Sequence, residues 1–267
     1  MGINRATDLF SCWICSEKGS ITKLIRQIED CSWSQAKAIK TAYTTLFDPD
    51  LYNDRGADRK SQYNPIQIEN TGHKACYLPR ESTNILPTMH RQYLTSRRFD
   101  PDKLQKEYHL RAVYNIGQYR GRLIIPCFLD GKLVSYLTRD ITNQATIPYI
   151  DCPESEAIIP VKHTLYNIDN AGRQAVLVEG VTDVWRLGPG SIGSFTSNLT
   201  SQQKLLLVKR GIKKLFVLYD PDAFIKAKRV ARDLSVLMST EIILLDKGDP
   251  ADLSQDSARI LMRELLG

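Results

Sequence analysis

Long apolar runs are missing from this chain. The most apolar stretches, Leu123 to Leu129 and Ile242 to Leu245, fall far short of the roughly 20 residues that cross a bilayer, so no membrane partner is expected. The start, MGINRATDLF, has no apolar h-region, so no secretory signal is read. Neither sign of charge dominates: 36 Lys and Arg against 30 Asp and Glu leave +6. That excess is compatible with a polyanionic partner but does not specify one. Internal repeats, low-complexity tracts and a GxxxxGKS or GxxxxGKT phosphate loop are all absent, so an ATP-driven motor within this chain is not expected. What is present is an ordinary globular composition, 42% hydrophobic and 25% charged, over 267 residues. Wholesale disorder is excluded, and the length suits one large domain or two modest ones. Six cysteines stand at 12, 15, 31, 76, 127 and 152. With no leader they read as reduced thiols in a cytoplasmic setting, and only Cys12 and Cys15 have metal-ligand spacing.

Texture divides the chain. In residues 1–45, Ile21, Leu24, Ile25 and Ile28 recur at helical spacing, and Ala36, Ile39, Ala42 and Tyr43 predict a second helix. Residues 46–85, rich in Asp, Asn, Pro, Gly and Arg, read as a linker. In 86–172 a helical opening leads into short strands, and Asp130-Gly131 between Arg122–Phe128 and Leu133–Thr138 predicts a hairpin. In 173–267 strands and helices alternate. The spacing predicts strands at Ala175–Val178, Ile192–Phe195, Leu215–Tyr219 and Glu241–Leu245. It predicts helices at Val181–Leu187, Ser201–Lys209 with Ser201 as cap, Ala223–Leu237 and Asp256–Leu266. The fold class is therefore α+β and α/β: a mixed N-terminal part followed by a mainly parallel sheet covered by helices.

Carboxylates fall at the ends of these strands. Glu179 follows Val176–Val178, Asp220 and Asp222 follow Phe216–Tyr219, and Asp246 and Asp249 follow Ile242–Leu245. Ligands of open α/β sheets bind beyond the carboxyl ends of the strands. Acidic groups gathered there repel one another and call for a hard divalent cation. Asp183 lies one helical turn after Glu179 and faces the same cleft. The competing reading is that such residues are helix caps and turn formers.

These residues carry a resemblance. LVEGVTDVWRL (177–187), GSFTSNLTSQQ, FVLYDPDA (216–223) and KGDPADL (247–253) look like the Toprim domain shared by bacterial-type primases, type IA and type II topoisomerases and some nucleases. The Glu-Gly, Asp-x-Asp and Asp-Pro pattern resembles the DnaG-like primases of bacteria and phages most closely. The resemblance implies that Glu179, Asp183, Asp220, Asp222 and Asp249 bind Mg²⁺ or Mn²⁺ for nucleotidyl transfer, with Glu179, Asp220 and Asp222 catalytic. Where the family has Ala-Gly after Asp-x-Asp, this chain has Ala223-Phe224.

Upstream, Arg97, Arg98, Arg120, Arg122, Arg139 and Lys162 punctuate short strands and loops, where they can hold phosphates. Tyr93, Tyr119, Tyr136, Tyr149 and Tyr166 interleave with them and can stack on bases. The alternative is a solvated basic face with ordinary core tyrosines. The segments YLTSRRF, GRLIIP and LYNIDNA are similar to landmarks of the primases' basic subdomain. That similarity implies template or NTP contacts for Arg97, Arg120, Arg122, Arg139, Tyr149 and Lys162. Two departures stand out: Pro148-Tyr149 replaces Lys-Tyr, and Arg98 replaces the glycine of the Tyr-Leu-Arg-Gly landmark.

Cys12-Trp-Ile-Cys15 has the spacing of a zinc knuckle. A tetrahedral structural site needs four ligands, usually two pairs. None of the eleven residues before Cys12 is Cys or His, so 1–45 resembles the second half of a primase zinc ribbon with its following helices, and the Zn²⁺ ligand set is incomplete. Three readings stand: a fragment of a longer zinc-ribbon primase, a ribbon that has lost its zinc, or two chains pooling their pairs into one site.

The resemblance implies a nucleotidyltransferase, a DNA primase making RNA primers on single-stranded DNA from NTPs with Mg²⁺ or Mn²⁺. It would work in the cytoplasm, a host's if the chain is phage-encoded, beside a separate replicative helicase. The alternatives are a Toprim-type metal-dependent nuclease and a non-catalytic primase-derived subunit that binds DNA or a helicase.

Overall fold

The computed structural model describes residues 2–4, 8–11, 18–29, 32–46, 75–196, 198–245 and 248–267. The chain divides into two compact units, Met1–Ile66 and Gln67–Gly267. Cys12, Cys15, Cys31, Asp246 and most of the expected 46–85 linker lie outside the described residues.

The first unit is a three-stranded antiparallel sheet, β1 (Gly2–Asn4), β2 (Leu9–Ser11) and β3 (Lys18–Ser20), followed by α1 (Ile21–Glu29) and α2 (Trp33–Leu46). Both helices occur where the apolar spacing predicts them, although Ile28 of the first stripe is exposed.

The second unit opens with α3 (Thr88–Ser96) and α4 (Pro101–Tyr108). Asp100 starts α4, its carboxylate accepting from the Asp102 and Lys103 amides at 2.9 and 3.1 Å ahead of Pro101. An antiparallel sheet follows, in the order β4 (Arg111–Val113), β5 (Arg122–Leu129), β6 (Lys132–Asp140) and β7 (Tyr149–Asp151). Asp130 and Gly131, at φ 52° and 72°, make the tight β5–β6 turn that Asp-Gly predicts. Alternation along β5 covers both faces: Leu123, Ile125 and Cys127 enter the main core, and Ile124 enters a smaller one with Val113, Tyr119, Tyr136 and Cys152.

The parallel sheet has the order β11-β10-β8-β9, from β8 (Gln174–Val178), β9 (Ser191–Gly193), β10 (Lys214–Val217) and β11 (Ser239–Ile242). Val176, Val178, Phe216 and Leu218 pack toward α5 (Val181–Leu187) and α8 (Gln255–Leu266). Ala175, Leu177, Leu215 and Val217 pack toward α6 (Ser201–Lys209) and α7 (Phe224–Leu234). The main core runs without a break from Leu86 and Leu94 through Leu123 and Val176 to Met262, so 86–172 and 173–267 share one interior.

Three local expectations are corrected. Thr200, not Ser201, caps α6: its hydroxyl accepts from the Gln203 amide at 3.2 Å while the Gln203 side chain accepts from the Thr200 amide at 2.9 Å. The helix expected over Ala223–Leu237 is shorter, Phe224–Leu234, and follows a 3-10 turn at Pro221–Ala223 that takes up Ala223. The last strand is Ser239–Ile242 rather than Glu241–Leu245, because the parallel register with β10 pairs Lys214 with Ser239 and Val217 with Ile242.

Candidate active site

Strands β8, β10 and β11 are parallel neighbours, so their carboxyl ends share one sheet edge. The winding reverses between β8 and β10, the place where open α/β sheets form a ligand crevice. Glu179 leaves β8 directly, Asp220 and Asp222 lie just past β10, and Asp249 follows β11. Burial raises the Asp220 carboxyl above its usual range, and the charges of Asp249, Asp222 and Asp252 push it the same way. Burial also raises Glu179, helped by the charges of Asp220 and Asp222 and opposed by Lys226 and the Asp220 backbone amide. These groups therefore feel one another's charge, although burial is the larger cause. Among the described residues, however, no three His, Cys, Asp or Glu side chains are gathered so as to hold a metal ion.

The individual carboxylates differ in what they are free to do. Glu179 Oε1 is buried with no hydrogen-bond partner among the described residues, a costly state for an anionic oxygen that a cation would relieve. Asp220 makes no side-chain capping bond to its turn, and Asp222 lies in the first turn after it. Asp183 is engaged: buried at 6% exposure, its Oδ2 accepts from the Gly180 amide at 2.9 Å at the start of α5. A Cβ on Gly180 would come 3.1 Å from that same oxygen, so the Glu-Gly pair suits the close approach. Asp249 Oδ1 accepts from the Asp252 amide at 3.0 Å, capping the 3-10 turn Pro250–Asp252. The capping role weighed from sequence thus holds for these two. The carboxylates left without a capping role are therefore Glu179 and Asp220, with Asp222 beside them, although among the described residues they are not gathered closely enough to hold a metal ion together.

The Asp183 environment has a measurable consequence. Burial, outweighing the Gly180 amide and joined by Asp220 and Asp249, pushes its carboxyl up to about 7. A carboxyl whose pKa is raised by folding favours the folded state below its unfolded pKa, and that contribution is lost as pH climbs through the folded value. Glu179 and Asp220 act in the same direction. Urea midpoints of metal-free protein should therefore fall between about pH 4 and 7, and Asp183→Asn should flatten that fall. An equally steep decline in the variant would remove Asp183 as a source.

The predicted basic residues separate into two groups. Tyr93, on α3, collects two guanidinium groups on its hydroxyl: Arg97 Nη1 donates at 3.3 Å and Arg139 Nε at 3.1 Å. Arg139 also lies over the Tyr149 ring, 4.6 Å from its centroid. Burial works against the charge on Arg97, but Tyr93, Tyr149 and Asp249 together hold it in the charged form. The Tyr149 pKa is raised chiefly by burial, and Asp183 contributes. This arginine–tyrosine cluster therefore lies within electrostatic reach of the acidic edge. Arg122 instead is turned inward: at 6% exposure it donates to the carbonyls of Pro148 and Ile147 at 3.1 and 2.8 Å, holding the loop between β6 and β7. Arg120 is exposed. Lys162 is exposed and paired with Glu154 at 2.6 Å. Tyr119, Tyr136 and Tyr166 are core residues: the first two meet hydroxyl to hydroxyl at 3.3 Å, and Tyr166 accepts from Trp185 Nε1 at 2.9 Å. Sequence reasoning missed Lys226, although its one-turn spacing from Asp222 on a helix leaving the acid turn was a usable signal.

Arg98 sits at φ 61°, in the left-handed region. Its amide donates to the Thr95 carbonyl at 2.8 Å, and Phe99 donates to Leu94 at 3.0 Å, the paired bonds of a helix end that glycine normally completes. Glycine would adopt this backbone without strain, and this chain meets it with an arginine. Arg98→Gly should stabilise the protein by about 0.5–1 kcal/mol, read as a higher urea midpoint. An unchanged or lower midpoint would show that the Arg98 side chain offsets its strain.

Against known proteins, no family model and no curated protein matches the chain. Solved structures do. The Aquifex aeolicus primase, in a structure of its zinc-binding and RNA polymerase domains, is 20% identical, with a TM-score of 0.54 over 98% of this chain and 73% of that one. A DnaG catalytic core is 20% identical, with a TM-score of 0.50 over 67% of this chain and 70% of that one. The chain has the fold of these DnaG-type primase structures.

Proposed function

We propose that this chain is a DNA primase: a nucleotidyltransferase that joins NTPs into short RNA primers on a single-stranded DNA template. The observation that carries the reading is the acidic sheet edge at the β8–β10 reversal, with a buried, unpartnered Glu179 oxygen, within electrostatic reach of an arginine pair held by Tyr93. Acids for a cation and arginines for phosphate in one region are what phosphoryl transfer asks of a protein. The fold shared with the primase structures supports it, and so do the Toprim-like segments.

Glu179, Asp220 and Asp222 would hold Mg²⁺ or Mn²⁺, with Asp183 and Asp249 shaping the edge from their capping positions. Bound divalent ions supply charge neutralisation on the triphosphate and a lowered pKa for the attacking 3′-hydroxyl. Arg97 and Arg139 orient the triphosphate or the template backbone through guanidinium–phosphate contacts, and Tyr149 backs Arg139. Arg120 and Lys162 are outlying template contacts. Arg122 acts at one remove, by fixing the 147–148 loop that leads into Tyr149. The subdivision into a basic part (86–172) and a Toprim part (173–267) describes two halves of one catalytic unit. Residues 1–45 would be the zinc-ribbon-like part. That segment offers one pair with ligand spacing, Cys12 and Cys15, half of the four ligands of a closed site. A separate helicase completes the proposed setting.

The test is incubation with single-stranded DNA, NTPs and Mg²⁺ or Mn²⁺. NTP-dependent ladders of short RNA support the reading. Degraded template would favour a nuclease built on the same acids, and DNA binding without either product would favour a non-catalytic subunit.

A further inference from the structure

One charged side chain in this region faces no solvent and no proposed substrate. Arg186, on α5, is 2% exposed. Its Nε donates to the Ala251 carbonyl at 3.0 Å, its Nη1 to the Arg98 carbonyl at 3.3 Å and its Nη2 to the Arg97 carbonyl at 3.2 Å. The guanidinium plane lies over the Phe99 ring, 4.5 Å from its centroid. Among the described residues it has no salt bridge. A buried cation hydrogen-bonded only to neutral carbonyls is expensive, with Asp252 favouring its charge but burial outweighing that, and an apolar side chain of similar size would fill the same space at less cost.

What the arrangement accomplishes is a three-way join. The helix that carries Arg186 is capped by Gly180, next to Glu179. The Ala251 carbonyl belongs to the turn that Asp249 caps. The Arg97 and Arg98 carbonyls belong to the end of α3, which presents the Arg97 guanidinium. A planar fork with fixed donor directions holds such a join far more rigidly than a flexible ammonium could.

We infer that Arg186 is a positioning residue that keeps the Arg97 turn and the Asp249 turn in register with Glu179, so that cation and NTP affinity depend on a side chain that touches neither. The inference rests on the reading of the site given above. It goes beyond the Toprim-like motif, whose acidic residues do not include this position.

The test uses the full chain and Mn²⁺ as the probe, with free Mn²⁺ read by electron paramagnetic resonance. Arg186→Met should still fold by circular dichroism. Its Mn²⁺ affinity should fall about tenfold, as when a residue supporting metal ligands is lost. The apparent KM for NTP should rise more than kcat falls. Arg186→Lys should be impaired to a similar degree, since one ammonium cannot serve three separate carbonyls in the plane of the fork. Phe99→Leu, which keeps all three hydrogen bonds, should cost only about two- to threefold. A merely structural role would lower stability yet leave Mn²⁺ affinity and KM of the folded protein unchanged. That result in Arg186→Met, or in Arg186→Lys should the Met variant fail to fold, overturns the inference. Wild-type protein that binds no Mn²⁺ overturns the site reading itself, and the wild-type measurement alone separates the two failures.

Discussion

Asp220→Asn is expected to abolish primer synthesis, by on the order of a thousandfold or more, while single-stranded DNA binding stays within a few-fold of wild type. Asp220 lies at the centre of the acidic edge: it contributes to the raised pKa of Glu179 and of Asp183, and is itself raised by burial and by Asp249, Asp222 and Asp252. On the proposed reading, loss of its charge should weaken cation binding at the neighbouring carboxylates. The same change should make the metal-free protein more stable near neutral pH. The sign follows from linkage: a carboxyl raised by folding stabilises the fold only while protonated, and asparagine stays neutral at all pH values. The gain should vanish at low pH, where Asp220 is protonated, and shrink when Mg²⁺ is added to wild type. Fluorescence anisotropy with labelled DNA, primer gels and urea midpoints at two pH values check all three statements. An active Asp220→Asn protein would remove Asp220 from the metal site.

Arg97→Ala and Arg139→Ala should each lower kcat/KM for NTP by about 10- to 100-fold, the loss of a charge-assisted contact. Both guanidinium groups share the Tyr93 hydroxyl, so neither is neutralised by a carboxylate in direct contact there. Their donors remain available to a phosphate. Lys162→Ala should change little, about two- to threefold in DNA affinity, because an exposed pair with Glu154 contributes weakly. Arg122→Ala should behave differently from all of these. It leaves the Ile147 carbonyl without its Arg122 donor, while the Pro148 carbonyl keeps the Asp140 amide, and should cost about 1–3 kcal/mol of stability. Steady-state kinetics paired with urea unfolding separate the two classes. An Arg139→Ala enzyme with unchanged kcat/KM would take the arginine–tyrosine cluster out of the site.

The contrast between Arg122 and Arg139 shows where sequence reading stops. Both sit on the β5–β6 hairpin, and both matched the family's basic pattern. Spacing could not tell that Arg122 turns toward the 147–148 carbonyls whereas Arg139 turns toward Tyr93 and Tyr149, since that choice depends on a loop distant in sequence. The acidic edge was legible because it follows from topology: residues placed just after parallel strands must share an edge, whatever their rotamers. The helix Val181–Leu187 and the Asp130-Gly131 hairpin were legible because their signals are local. Thr200 was passed over for Ser201 because both can cap, and only the reciprocal Gln203 bond decides between them. Asp183 and Asp249 show the two readings of an acidic strand end coexisting, each a cap by hydrogen bond and a member of the cluster by charge. Arg186 left no mark in the motif, because its partners are backbone carbonyls to which any residue contributes.

The central claim is that this acidic edge transfers nucleotides. Its most direct test compares wild-type and Asp220→Asn protein on single-stranded DNA with NTPs and Mg²⁺ or Mn²⁺, resolving products on a sequencing gel. The account predicts NTP-dependent short RNA from wild type and none from the variant. Template degradation, or RNA ladders of equal intensity from both proteins, would contradict it.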